Sequence, residues 1–168
     1  MIIKKTGSFM LIWGSIIVAL ILSIIKLPAF LSDYLPNYAS LVLMVWVVAF
    51  PNKVNVFSGW ITGLFMDFLL GTTLGIHAAA FSFMIWLLHS QFESFRFYSL
   101  VEVTVVVATI NLIGQFVLFW SEHIFGVVTA DYHIIWSSIT CLVIWPLLYL
   151  ILVSLHRLII PQKDEYYV

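Results

Sequence analysis

Long apolar runs dominate the chain, interrupted by prolines, glycines and small groups of charges. A helix needs about 17 to 25 residues to cross the hydrocarbon of a bilayer, and under that constraint the runs divide into six stretches. These are 9–25, 36–50, 54–70, 74–89, 101–121 and 134–155. The segment from Val54 to His89 is nearly two crossings long, and Gly71, Thr72 and Thr73 interrupt it midway. Glycine ends helices and threonine caps them, so this segment is expected to fold as a hairpin with a very tight turn. Pro146 is expected to kink the last stretch.

Inside that hairpin Gly59, Gly63, Asp67, Gly71 and Gly75 recur at every fourth position of GWITGLFMDFLLGTTLG. Successive fourth positions of an α-helix turn by about 40°, so Gly59, Gly63 and Asp67 form a ridge that another helix can approach closely. The five positions read as a helix-packing ladder with its carboxylate on the packed side. An ionised carboxylate within a span is disfavoured by about 2.5 kcal/mol or more, so Asp67 requires a partner. Counted outward from Thr72, Asp67 and His77 lie equally far along the two arms of the hairpin, and a contact between them is expected. The alternative is that Asp67 lies close enough to the outer interface to be hydrated, or caps the helix that follows.

In the fifth stretch Asn111, Gln115 and Glu122 fall on one side. Two readings stand: a polar patch that joins Asp67 and His77 in a single buried cluster, or ordinary hydrogen bonding between helices. Ser15, Ala19 and Ser23 in the first stretch offer another close-approach face, as do Ser137, Ser138 and Cys141 in the last.

Composition settles the class. The chain of 168 residues is 63% hydrophobic and 9% charged, with a mean hydropathy of +1.12, which marks an integral membrane protein. A net charge of -1 without a basic stripe gives nucleic acid nothing electrostatic to bind. The single cysteine, Cys141, allows no intrachain disulfide. Lys4 and Lys5 ahead of an apolar run imitate a secretory signal. The run is longer than a signal core, however, and Lys26, Leu27 and Pro28 follow it instead of small residues, so an uncleaved first helix is expected. With the N-terminus inside, Lys4, Lys5, Lys53, Arg96, Arg157 and Lys163 are cytoplasmic and only Lys26 is external. Both termini are therefore expected in the cytoplasm, with residues 1–168 forming one membrane domain.

Catalysis lacks its parts. No Gly-x-Ser-x-Gly sequence occurs, and Asp67 is the only aspartate well inside a stretch, which leaves an aspartyl protease without its second acid. His89, His123, His133 and His156 are scattered over both interfaces without metal-pair spacing and read as structural or solvated. No enzyme, cofactor or metal is expected.

Taken together these segments resemble the family of rod shape-determining protein MreD. The resemblance rests on Pro36 and Asn37 opening the second stretch, on FPNKVNV with Pro51 and Asn55, and on GWITGLFMDFLLGTTLGIHA. FWSEHIF around Trp120 and Glu122, and WSSITCLVIWP from Trp136 to Pro146, add to it. It implies a multi-pass scaffold of the bacterial cytoplasmic (inner) membrane that serves cell elongation and peptidoglycan synthesis. The implied partner is MreC, with MreB, RodA and the elongation-class penicillin-binding protein in the same complex and membrane lipids around it. The implied fold is an all-α six-transmembrane-helix bundle like the substrate-binding subunits of energy-coupling-factor transporters. That likeness keeps a rival reading, a small-molecule, vitamin-type carrier. In the rival, Asp67, His77, Asn111 and Gln115 would line an outward-opening pocket while Ser15, Ala19 and Ser23 dock a coupling subunit.

Overall fold

A computed structural model describes residues 2–25, 36–91, 95, 97–124 and 134–159. The elements among them are helices: α1 (Ile2–Ile24), α2 (Tyr38–Ala49), α3 (Val56–Leu70), α4 (Ile76–Ser90), α5 (Leu100–Ile124) and α6 (Ile134–Ile159). One helix lies over each of the six apolar stretches. Three of them are long and apolar enough to cross a membrane, over Gly7–Ile24, Leu100–Ser121 and Trp136–Ile159. The other three are apolar but shorter, with 12 residues in α2 and 15 each in α3 and α4. The protein is an all-α membrane protein, and lengths alone mark three of its helices as crossings.

Local chemistry sets the helix ends. Asn37 caps α2 by accepting from the Ala39 N–H at 3.0 Å, and Asn55 forms a capping box with Ser58 at the start of α3. Ser99 and Glu102 do the same for α5, where the Glu102 carboxylate accepts from the Ser99 N–H and hydroxyl. Two of the asparagines that carried the family resemblance are thus helix starts. Each satisfies a backbone N–H that has no partner within its own helix. The last helix runs through Pro146 as a single element.

The helices pack mainly in chain order, α1 on α2, α3 on α4, α4 on α5 and α5 on α6, and α2 also touches α4 and α6. That leaves α2 enclosed: every residue from Ala39 to Ala49 is buried. A helix that is apolar on all sides belongs in the middle of a bundle. Trp46 of α2 lies in the same core as Trp145, Phe81 and Phe95.

Candidate functional site

The hairpin of α3 and α4 holds the tightest backbone approach among the described glycines. A methyl group on Gly63 would collide with the Ala78 Cα and the His77 carbonyl, and one on Gly59 would sit 3.0 Å from Ile85 Cγ1 and 3.1 Å from the Phe81 carbonyl oxygen. Glycine is needed there so that the two backbones can touch. Gly71 and Gly75 serve differently, which corrects the ladder expected from spacing. They have φ of +67° and +105°, and nothing lies within 4 Å of where their side chains would be. Both belong to the turn, Gly71 ending α3 and Gly75 preceding α4. Glycine takes this left-handed geometry without strain.

Asp67, fully buried, joins the two arms. Its Oδ1 accepts from the His77 N–H at 3.0 Å and the Thr72 hydroxyl at 3.1 Å, while Oδ2 accepts from the Gly75 N–H at 2.8 Å and the Ala78 N–H at 3.3 Å. His77 Nδ1 lies 2.8 Å from Oδ1. A carboxylate in this setting only accepts, so the ring carries its proton on Nδ1 and donates it. The Asp67 carbonyl meanwhile accepts from the Gly71 and Thr72 N–H groups and closes α3. One residue thus ends a helix with its backbone and starts the next with its side chain. Contact with His77 and capping of the following helix, posed as alternatives by the sequence, occur together. The anion sits where the N-terminal dipole of α4 favours it.

The fifth stretch contributes less to this cluster than its spacing suggested. Each hydrogen bond described for Asp67 is made within the hairpin. Asn111 is fully buried with both carboxamide atoms unpartnered, and Gln115 is half-buried. The backbone of Glu122 belongs to α5, but its side chain lies outside the described residues, as do Lys26, Arg96, His133 and Lys163. One turn beyond Asn111, Gly114 faces Met84, whose side chain occupies the space a methyl group would need. Among the described residues no group of three or more His, Cys, Asp or Glu could hold a metal.

A second polar cluster escaped the sequence. Ser8 Oγ lies 2.9 Å from His156 Nε2 and accepts from Lys53 Nζ at 3.3 Å. His156, expected at an interface, is fully buried and packs on Phe50 at 4.5 Å between ring centroids. Trp46 Nε1 donates to Ser15 Oγ at 2.7 Å, two turns along α1 from Ser8. The cluster ties the first and last helices to the turn after α2. Ser8 and His156 are 148 positions apart, and no local pattern announces such a pair.

Comparison with known proteins gives a consistent result. The family model described as rod shape-determining protein MreD matches residues 4–155. The Rod shape-determining protein MreD of Haemophilus influenzae is 29% identical over 157 residues, covering 89% of this chain and 94% of that protein. No solved structure matches the chain.

Proposed function

The chain belongs to the MreD family of rod shape-determining proteins, and from that premise we propose that it is a non-enzymatic scaffold of the wall-elongation complex in the bacterial cytoplasmic membrane. In this reading α1 to α6 cross six times, with both termini in the cytoplasm and a bundle like that of the energy-coupling-factor substrate-binding subunits. A single-span partner, MreC, docks on it. MreB, RodA and the elongation-class penicillin-binding protein complete the assembly.

The state of Asp67 carries the proposal. Both carboxylate oxygens are taken up by amides, a hydroxyl and a ring of its own hairpin. An acid so engaged is poorly placed to shuttle protons or bind a substrate, but it is well suited to fixing the register of two helices. Any slip would leave it buried and unpaired. A scaffold needs such rigidity, and the carrier reading needs those same groups free to face a pocket.

Gly63→Leu separates α3 from α4 and tests the idea in cells. The expected result is loss of copurifying MreC together with rounded cells, and normal copurification with normal rods would refute it. The carrier reading is tested on the purified protein. Stabilisation by a small vitamin-like ligand, with none by MreC, would replace the scaffold with the carrier.

A further inference from the structure

The α3–α4 hairpin fixes how thick a hydrocarbon layer its side of the bundle fits. At one end, the Ser8 contacts with Lys53 and His156 and the bond from His89 Nε2 to the Val54 carbonyl at 3.2 Å bring α1, the turn after α2, α4 and α6 to a common level. At the other end lies the hairpin apex, with Asp67, Thr72 and His77. The 15 residues of α3 separate the two levels, a rise of ~22 Å.

The partner arm gives the same spacing, α4 having 15 residues of its own. From Ser8 to the end of α1 at Ile24 the rise is ~24 Å, after which Lys26 follows. Helices α5 and α6 carry longer apolar spans, Leu100–Ser121 and Trp136–Ile159, which rise ~32 Å and ~35 Å, so the short dimension is confined to α1, α3 and α4. Three elements, α1, α3 and α4, therefore have their ends ~22–24 Å apart, against ~30 Å for ordinary bilayer hydrocarbon.

We propose that this protein binds a thinned annulus of lipid, drawing the bilayer in by ~8 Å around its α3–α4 side. The lipid-facing surface there is apolar between the two levels, with Phe57, Phe65 and Phe68 well exposed. Of the turn residues 71–75 Leu74 alone is apolar, and it is exposed; there the chain reverses and the surface ends. Thinning keeps the polar apex in contact with headgroups and water. The inference rests on the six-crossing reading above and extends it to the lipid partner.

The test uses the full chain reconstituted in phosphatidylcholine vesicles whose monounsaturated acyl chains run from fourteen to twenty-two carbons. A thermal midpoint highest with fourteen- or sixteen-carbon chains, falling by several degrees toward twenty-two, is the expected result. A second measurement separates this claim from the topology. Thr73 is exposed at the apex, and a Thr73→Cys chain in right-side-out membrane vesicles should react with a membrane-impermeant maleimide while the parent, with Cys141 buried, does not. Labelling together with a midpoint that peaks at eighteen carbons or more overturns the thinning and leaves six crossings intact. Failure to label from outside overturns both.

Discussion

Asp67 engages His77 twice, through the backbone N–H at 3.0 Å and through ring Nδ1 at 2.8 Å. Asp67→Asn replaces an acceptor by an NH2 group that faces N–H donors of the turn. The expected loss is about 1–3 kcal/mol of stability. His77→Ala removes the ring bond and keeps the backbone bond, so its cost should be smaller. Combining the two in a thermal-melt cycle should give a non-additive result, and strict additivity would mean that the ring contributes nothing to the carboxylate.

The glycines should rank by what a methyl group would meet. Gly63→Ala forces two backbones apart and is expected to cost about 3 kcal/mol or more. Gly59→Ala meets atoms near 3.0 Å and should cost less, because Ile85 can yield. Gly14→Ala, with nothing within 4 Å, should be neutral or slightly stabilising. Melting the three variants side by side checks the order, and a neutral Gly63→Ala would remove the close approach from the account.

Ser8→Ala leaves His156 Nε2 facing a methyl group at full burial. A loss of about 0.5–1.5 kcal/mol follows from the missing hydrogen bond. A thermal melt against the parent checks it, and an unchanged midpoint would mean that the hydroxyl adds nothing to the imidazole.

Asn111 gives the opposite sign. Both its carboxamide atoms are buried without partners, so Asn111→Leu exchanges a desolvated polar group for one that suits its surroundings. A gain of about 1 kcal/mol is expected in the isolated protein. A drop in melting temperature would reveal a bonding partner for the carboxamide.

The hairpin was legible because its punctuation is local. Gly71 and the two threonines mark a break, and counting from that break aligns Asp67 with His77. The same regularity misled the reading of Gly71 and Gly75, since a spacing of four continues across a helix end without registering that Leu70 is the last helical residue. Only a positive φ separates a turn glycine from a packing glycine, and spacing carries no φ. The position of Asn111 relative to Asp67 was illegible for another reason. Which face of α5 meets which neighbour depends on the rotation of α5 about its axis, and an apolar sequence with weak amphipathic bias barely constrains that rotation. Ser8 and His156 meet only after the whole bundle has closed.

The enclosure of α2 has a consequence for how the chain is made. It leaves the ribosome ahead of α4 and α6, two of the helices that finally surround it, so lipid tails must stand in for them until they arrive. A helix with polar teeth on the hidden side would suffer during that interval. The oily surface from Ala39 to Ala49, broken only by Ser40, whose hydroxyl turns back to the Asn37 carbonyl, suits both hosts, lipid first and protein later, and it lets the centre of the protein wait in the membrane for its walls to be built.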